Sequence, residues 1–324
     1  MAKERHFHDW GGLSQFIQSN LGGRPGFGKR PQVGRLSAIH EGIGHDNFCF
    51  VASGKPLILR MQKMVDPIRS PEEAMEMLAR EAETLRSLAR CQFAHPVPAL
   101  VCAIANEQGQ TIGLIESCLP GGPLSHVKNG VHGRSRLEAI AEVAARVHAL
   151  PVSEFAHLTP RTDSESHIRA ELDLLPSIVF DWPIAVTTRD WILQHLMNRP
   201  AVVLHGDLLP QNLLWDMMGT GDIALVDWEY AQLGDPAYDL AILTRGDRQP
   251  LKESGGFDKL LAAYGTATGT AIPTSAVRIH EMLMILGWLG EAALDRAEGR
   301  MKGQGPDYYV NQLLSVLRRS GASG

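Results

Sequence analysis

Residues 201–241 constrain the fold of this chain more than any other segment, because they form a strand-like island in a half that otherwise has helical patterns. Three short apolar stretches have the length of strands, at 202–204, 213–215 and 223–226, and the last two flank the turn-rich sequence MMGTGD as in a hairpin. Asp207, Asn212 and Asp227 therefore each follow or adjoin a strand. Brought together, they are a set that can hold a divalent cation and orient a hydroxyl nucleophile.

Phosphoryl transfer requires such a set of side chains. One Asp orients or accepts the proton of the acceptor hydroxyl, while a second Asp and an Asn bind the Mg²⁺ ions that bridge the phosphates. Here an H-x-D sequence is followed by an Asn five residues after the Asp, and then by an Asp at the end of a strand. Catalytic loop and metal loop follow in this order in protein kinases, so the segment indicates kinase-like phosphoryl transfer.

The other elements indicate two parts. The first part is rich in β-branched and aromatic residues, and its helix has Ser70 as N-cap with Glu73 closing a capping box. The second part is mostly helical. The predicted strands lie at about 35–41, 47–52 and 56–62 and in PALVCAIA and TIGLIES, and the predicted later helices lie near 135–150, 187–198, 256–264, 276–298 and 306–318. We place the domain boundary between a nucleotide-binding lobe, 1–116, and a second lobe, 117–324.

Composition argues against several other classes of protein. The 324 residues are 44% hydrophobic and 21% charged with a net charge of −5, which is typical of a globular protein without a nucleic-acid-binding surface. The start MAKERHFHDW lacks the apolar core of a signal peptide, and no apolar run has the length of a membrane span. The four cysteines form no C-x-x-C pair, which favours reduced thiols. We therefore expect a cytoplasmic protein with no nucleic-acid or membrane partner.

Two motifs in 201–241 resemble those of the aminoglycoside phosphotransferase and choline kinase family. The sequence HGDLLPQN, His205 to Asn212, is similar to the HGDxxxxN loop of that family, and DWEYA, Asp227 to Ala231, is similar to its metal loop. The helix with Arg80-Glu81 and the segment ARVHALP also resemble family elements. The resemblance implies an α+β, two-lobed protein-kinase-like fold. Its first lobe would hold an antiparallel sheet and one helix, and its mostly helical second lobe would carry the catalytic hairpin.

The resemblance also implies roles for individual residues. Asp207 would be the catalytic base or the residue that orients the hydroxyl, and Asn212 and Asp227 would be the Mg²⁺ ligands, with ATP as the phosphoryl donor. Around the nucleotide, it implies Glu81 as partner of a basic residue on the third strand, backbone groups near Glu116 and Cys118 as the adenine contact, and the turn EGIGH with Gly42 and Gly44 over the phosphates.

One position departs from the kinase pattern. Kinases carry a Lys on the third strand to hold the phosphates, whereas the sequence LILR places Arg60 there. The positive charge is retained, but the planar fork of an Arg is not interchangeable with an ammonium group. Lys55 and Lys63 are the other candidates, although the odd offset of Lys63 places it on the opposite strand face. We expect Arg60 to bind the phosphates.

Other polar residues near the motifs have a structural interpretation as well as a functional one. We favour a structural role for His205 over metal binding, and backbone capping by Asp235 and Asp239 over metal binding. We interpret His45 as an ordinary turn residue and His148 as a cation that complements a helix dipole.

Three residues are candidates for contacts to the acceptor. Glu229 is either an acid that supports the metal loop or a contact to a cationic acceptor. Trp288 and Glu291 lie in an apolar helical segment for which core packing is the default interpretation. An aromatic ring and a carboxylate also suit an ammonium group, so both stay candidates for the acceptor pocket.

The segment GRPGFGKR, residues 23–30, begins like a phosphate-binding P-loop. Arg30 stands where that motif needs a hydroxyl, and neither a strand before the segment nor a helix after it is predicted. We therefore expect no nucleotide here and predict a flexible linker between an N-terminal helix and the first strand.

The sequence predicts an ATP- and Mg²⁺-dependent enzyme that phosphorylates a hydroxyl of a small molecule, such as a choline-, thiamine- or aminoglycoside-like compound. No activation-loop stretch follows Asp227, so we expect no protein substrate. Two alternatives stay open: a metal-dependent hydrolase that uses His205, Asp207 and Asp227, and a non-catalytic nucleotide-binding module, which only Arg60 suggests.

Overall fold

The chain forms two compact units in the computed structural model. The first contains Met1–Gly121 and Asp216–Tyr230, and the second contains Gly122–Trp215 and Ala231–Gly324. The structure describes residues 10–39, 45–63, 70–128, 130–158, 163–245, 253–300 and 303–321.

Ten strands and nine helices lie within these described residues. The strands are β1 Ser37–Ile39, β2 His45–Ala52, β3 Lys55–Gln62, β4 Leu100–Ala105, β5 Thr111–Ser117, β6 Gly122–Pro123, β7 Val202–Leu204, β8 Leu213–Trp215, β9 Ile223–Leu225 and β10 Gln232–Gly234. The helices are α1 Trp10–Leu21, α2 Pro71–Cys91, α3 Arg136–His148, α4 Ser164–Asp173, α5 Pro183–Gln194, α6 Ala237–Thr244, α7 Gly256–Thr268, α8 Thr274–Ala297 and α9 Pro306–Arg319. The predicted division into a β-rich first part and a helix-rich second part is confirmed.

The first unit is built on a five-stranded antiparallel sheet in the order β1-β2-β3-β5-β4. A two-residue turn joins β2 to β3, and both of its residues, Ser53 and Gly54, have positive φ. Such a turn matches the right-handed twist of the strands it connects. It fixes a register in which Arg60 lies opposite Asn47 on one side and Leu114 on the other.

Helix α2 packs against this sheet and begins where the sequence predicts. Ser70 accepts a hydrogen bond from the Glu73 amide, and the Glu73 carboxylate accepts one from the Ser70 amide, so the capping box is complete. Leu78 and Ala82 pack with Leu114 of β5. The same buried face of the helix carries Glu81 into the unit.

Helix α1 and the segment after it cover part of the sheet. Leu13, Ile17 and Leu21 recur every four residues along α1, and all are buried in the cluster that includes Phe50 and Leu57. Phe27 belongs to the same cluster, and the Lys55 ammonium lies 5.0 Å from the centre of its ring. The segment 23–30 therefore joins helix to strand as predicted. The prediction that it is a flexible linker is wrong, because its single aromatic residue is anchored in the core.

The second unit is mostly helical. Its main apolar cluster draws on α4, α5, α8 and α9 and includes Ile168, Trp191, Ile285, Leu289, Leu313 and Val316. Two short strand pairs stand beside these helices: β7 with β10, and β6 with β8, both antiparallel. None of the helices in the described part of the chain is long and apolar enough to cross a membrane.

We expect Phe27→Ala to lower the free energy of unfolding by about 3–5 kcal/mol, as for other buried aromatic side chains truncated to Ala. Urea unfolding followed by circular dichroism measures this loss. The control is the double substitution of the exposed neighbours Lys29 and Arg30 by Ala, which leaves stability within about 0.5 kcal/mol. Equal losses in the two proteins would show that Phe27 does not anchor the segment.

Candidate active site

A buried cluster of charges lies in the first unit around Arg60. The guanidinium NH1 lies 3.2 Å from the Glu81 carboxylate of α2. Its NH2 donates to Asp227 Oδ1 at 2.7 Å and to Glu229 Oε2 at 3.2 Å. Strand, helix and the segment after β9 thus meet at one side chain. The structure brings four predicted site residues together: Arg60, Glu81, Asp227 and Glu229.

The segment that carries Asp227 is held in place by contacts on both sides. The Leu225 amide of β9 donates to the Pro96 carbonyl at 2.9 Å. Trp228 is fully buried, packs edge-on against Phe93, and donates its amide to Glu81 Oε1 at 3.1 Å. Asp227 between them has a φ of 71°, a left-handed conformation that costs a non-glycine residue energy. The left-handed residue lies in the segment whose two acids, Asp227 and Glu229, both contact Arg60.

Too many carboxylates surround Arg60 for all of them to be ionised at low cost. Burial raises the pKa of Glu116 to about 7, against the opposing effect of Arg60 and with a further contribution from Asp227. Burial also raises the pKa of Glu81 well above its usual range, despite the contact with Arg60. Burial alone would lower the pKa of Arg60, but the carboxylates raise it overall. The guanidinium therefore stays charged, and burial favours the protonated forms of Glu81 and Glu116.

Three polar atoms of this cluster have no hydrogen-bond partner within the described residues: Arg60 Nε, Glu81 Oε2 and Glu116 Oε2. Buried polar atoms are nearly always paired, so unpaired ones need an explanation. An unpaired guanidinium N–H is a donor suited to a phosphate oxygen. The cluster therefore has buried donor and acceptor atoms that its own residues leave unpaired.

Two backbone amides near Cys118 form hydrogen bonds within the sheet. We expected the adenine to meet backbone groups near Glu116 and Cys118. The Cys118 amide instead donates to the Pro56 carbonyl at 3.1 Å, and the Ser117 amide donates to the Ala99 carbonyl at 2.9 Å. Both amides extend the sheet ladders, so a contact between Cys118 and adenine has to come from another group.

His45, the last residue of the EGIGH sequence, belongs to the charge cluster, which the sequence analysis did not predict. It is the first residue of β2, is buried, and its Nδ1 lies 2.7 Å from Glu229 Oε2. The interpretation as an ordinary turn residue is therefore wrong. Gly42 and Gly44 of the predicted phosphate turn, immediately before His45, lie outside the described residues.

The HGD loop in the second unit is held by one buried acid. The amides of His205 and Gly206 each donate to the Asp239 carboxylate at 2.9 Å. Asp239 also lies 3.1 Å from His148 Nε2, and His148 Nδ1 lies 2.8 Å from the Tyr264 hydroxyl. Burial alone would raise the pKa of Asp239, but its bonds to His148 and the loop amide lower it overall. The proposed dipole role of His148 is thus replaced by a direct hydrogen bond.

Asp207 and Asn212 are coupled within this loop. The Asn212 side-chain nitrogen donates to both the carbonyl and the carboxylate Oδ2 of Asp207, each at 2.9 Å. The turn closes because the Asn212 amide donates to the Leu209 carbonyl at 2.9 Å. Asn212 therefore orients the Asp207 carboxylate through its side-chain nitrogen.

The structural interpretations of the remaining loop residues are supported. Asp235 forms a two-pronged contact with the Arg199 guanidinium and accepts the Ala237 amide at 2.9 Å. Burial would raise its pKa, but His280 and Arg199 lower it. His205 is fully buried, and its Nδ1 accepts the Asp207 amide at 3.4 Å. These contacts serve the backbone rather than a metal.

The acceptor candidates on α8 lie beside aromatic and charged neighbours. The Trp288 ring has the Arg245 guanidinium 5.1 Å from its centre and the Tyr309 ring 6.2 Å away. Partial burial and the neighbouring Asp295 both raise the pKa of Glu291. Glu229, the third candidate, belongs instead to the charge cluster of the first unit.

The donor atoms present suit Mg²⁺ in their chemistry. Asp227 and Asn212 offer a carboxylate and an amide oxygen, which are hard ligands. No group of three or more His, Cys, Asp or Glu side chains that could hold a metal occurs in the described residues. Protein Mg²⁺ sites that also use substrate phosphates need only one or two carboxylates, so the Asp227 carboxylate and the Asn212 oxygen are each suitable as a ligand.

The comparison with known protein families decides the class of enzyme. The model of the phosphotransferase enzyme family matches residues 35–289. The chain belongs to this family. As a phosphotransferase it is a small-molecule kinase, which the sequence predicted.

Two characterised relatives are similar over most of their length. An aminoglycoside 3'-phosphotransferase from Streptomyces ribosidificus is 30% identical over 211 residues, covering 61% of this phosphotransferase and 77% of the relative. A viomycin phosphotransferase from Streptomyces vinaceus is 28% identical over 268 residues, covering 76% and 84%.

Solved structures show the same fold. A macrolide 2'-phosphotransferase from Brachybacterium faecium has a TM-score of 0.64 at 20% identity, covering 94% of this chain and 97% of that one. An aminoglycoside phosphotransferase in complex with AMP-PNP and hygromycin B has a TM-score of 0.64 at 16% identity, covering 96% and 99%. The predicted kinase-like fold is confirmed.

Glu116 generates a prediction for stability against pH. The folded protein holds the Glu116 proton more tightly than the unfolded chain, so this group loses its stabilising contribution as pH rises from the ordinary value of 4.5 to about 7. In Glu116→Gln that loss is absent, and stability falls less between pH 5 and pH 8 than in the unchanged protein. Urea midpoints at both pH values measure the difference.

The control for this experiment is Glu107→Gln, which changes an exposed carboxylate between β4 and β5. Its midpoints follow those of the unchanged protein. If the Glu116→Gln midpoints did so too, the carboxyl group would not be protonated in the folded state at neutral pH.

Proposed function

We propose that this phosphotransferase moves the γ-phosphoryl group of ATP to a hydroxyl of a small molecule that carries amino or ammonium groups, with Mg²⁺ as cofactor. The observation that carries the proposal is the oriented pair of Asp207 and Asn212 on a loop fixed by Asp239. Holding a carboxylate in one orientation is what general-base or hydroxyl-orienting catalysis requires.

In this proposal Asp207 hydrogen-bonds the acceptor hydroxyl and aligns its oxygen with the γ-phosphorus. It takes the proton as the new O–P bond forms and the bond to the leaving oxygen of ADP breaks. Asn212 keeps the carboxylate in place through its side-chain nitrogen. Arg60 donates to phosphate oxygens through its free Nε and holds the nucleotide against the charge cluster.

Asn212 and Asp227 would hold Mg²⁺ through one oxygen each. When bound, the cation neutralises charge on the phosphates. Asp227 is the more exposed partner of Arg60, with 30% of its side chain accessible, so its carboxylate is open to such a ligand.

The proposed acceptor class rests on α8 and on the relatives. The Trp288 ring carries the Arg245 guanidinium over its centre, so it suits a cation, and Glu291 on the same helix supplies an acid. The similar Streptomyces enzymes are named for aminoglycosides and viomycin. Choline- and thiamine-like alcohols share the cationic group and belong in the same screen. We place the enzyme in the cytoplasm, where ATP is available.

The hydrolase alternative loses its support in the loop geometry. It needs His205 as a metal ligand, but the side chain is fully buried and its Nδ1 faces the backbone of its own loop. The non-catalytic alternative rested on Arg60, which here contacts Glu81 as the kinase lysine is expected to do.

We expect Asp207→Asn to reduce kcat by at least about 100-fold, because general-base or orienting groups typically contribute 10²–10⁴-fold. Asn retains an oxygen that can accept the Asn212 bond, so the fold is preserved. The measurement is ATP consumption over a panel of aminoglycosides, cyclic peptide antibiotics, choline and thiamine.

The matched control is Asp216→Asn, which changes an acid that caps its own turn through the amides of Gly219 and Thr220. Its kcat stays within about threefold of the unchanged enzyme. Turnover that survives Asp207→Asn, or that needs no acceptor, would contradict the proposed mechanism.

A further inference from the structure

The NH2 group of Arg60 has two carboxylate acceptors, and they differ in what else they touch. Asp227 accepts at 2.7 Å and is the proposed Mg²⁺ ligand. Glu229 accepts at 3.2 Å through Oε2, and the same oxygen lies 2.7 Å from His45 Nδ1. Asp227 therefore has a second proposed role as a metal ligand, whereas Glu229 is held in place by a buried histidine.

All three members of this chain of contacts are removed from water. His45, Glu229 and Arg60 are 3%, 4% and 7% exposed. A buried carboxylate is tolerated only where its oxygens are hydrogen-bonded, so the His45 contact fixes the position of Glu229 as well as compensating its burial. Glu229 cannot swing away from Arg60 without losing the His45 contact.

The arrangement also gives a physical reason for an arginine at position 60. The NH1 of Arg60 contacts Glu81 while its NH2 contacts Glu229, which leaves Nε for another acceptor. A guanidinium can serve these groups from separate nitrogens in a rigid plane, whereas a lysine ammonium is one point of charge. Glu229, two residues after Asp227, is therefore better served by an arginine at position 60 than by a lysine.

We propose that Glu229 and His45 are positioning residues for nucleotide binding: His45 holds Glu229, and Glu229 holds the NH2 edge of Arg60 when the Asp227 carboxylate turns to another ligand. This inference rests on the proposed function, because it takes Arg60 to be the phosphate-binding residue. Neither positioning residue touches the reacting atoms. Both act through the orientation of the guanidinium.

If Glu229 only balanced the charge of Arg60, its removal would have the opposite effect on ATP binding. Removing a negative charge beside Arg60 strengthens its attraction for phosphate, so ATP would bind more tightly. Removing a positioning contact releases the guanidinium, so ATP binds more weakly. The sign of the change in the dissociation constant separates the two roles.

The experiment measures the ATP dissociation constant by isothermal titration calorimetry without acceptor, in EDTA and again in Mg²⁺. We expect Glu229→Ala to weaken binding about tenfold, since hydrogen bonds between charged groups are among the strongest in proteins. Glu229→Gln keeps an acceptor oxygen and recovers binding to within about threefold. His45→Ala weakens binding in the same direction, and the double variant His45→Ala with Glu229→Ala is no weaker than Glu229→Ala, because the two residues act in series.

The matched control is Glu281→Gln in α8, another buried carboxylate that contacts one arginine, Arg278, at 2.5 Å. It lowers the melting temperature and leaves the ATP dissociation constant unchanged. If Glu229→Ala does not fold, His45→Ala tests the inference by the same criteria. This substitution removes the contact that holds Glu229 and leaves the charge of Glu229 in place.

Two results would overturn the inference while leaving the proposed function intact: Glu229→Ala that binds ATP as well as or better than the unchanged protein, and Glu229→Gln that binds as weakly as Glu229→Ala. If the unchanged protein binds no ATP, the proposed function fails and this inference fails with it. Weaker binding in Glu229→Ala, with recovery in Glu229→Gln, supports both.

Discussion

The contact between Arg60 and its carboxylates is the constraint on which the first unit depends. Arg60 is fixed on β3 by the register with β2 and β5, Glu81 comes from α2, and Asp227 from the segment after β9. A buried guanidinium is tolerated only where well-placed acids offset the cost of removing the charges from water. The cluster therefore holds together Asp227, the proposed metal ligand, and Arg60, the proposed phosphate-binding residue.

In the second unit a buried carboxylate, in place of a buried cation, holds a functional loop in position. Asp239 is buried and gathers two loop amides and one histidine, and so it holds the turn from which Asp207 projects. In both units a buried charge, Arg60 in the first and Asp239 in the second, fixes the position of a segment outside the regular helices and strands. Removing such a group costs more than its own bonds, because the partners stay buried and unpaired.

The sequence predicted the features that local chemistry determines. The capping box at Ser70, the strand pattern of the sheet and the Asp227 hairpin follow from spacing within a few residues. His45 could not be recognised in this way, since its partner Glu229 is distant along the chain and only the fold joins them. Phe27 was missed because the glycines around it are typical of a linker, whereas one buried ring is enough to anchor the segment. Whether the Cys118 amide is paired depends on how far the hydrogen-bond ladder with β3 extends, and a strand pattern does not specify this.

The excess of acid around Arg60 has a consequence for the resting protein. A single guanidinium cannot neutralise four nearby carboxylates, so burial drives protons onto some of them, and the pKa of Glu116 rises to about 7. Asp227 adds the cost of a left-handed backbone. A sequence under selection for stability alone would replace these groups by apolar ones, because well-packed apolar residues are often at least as stable as buried charges. Their joint presence supports the proposed site, in which Arg60 binds phosphates and Asp227 binds Mg²⁺.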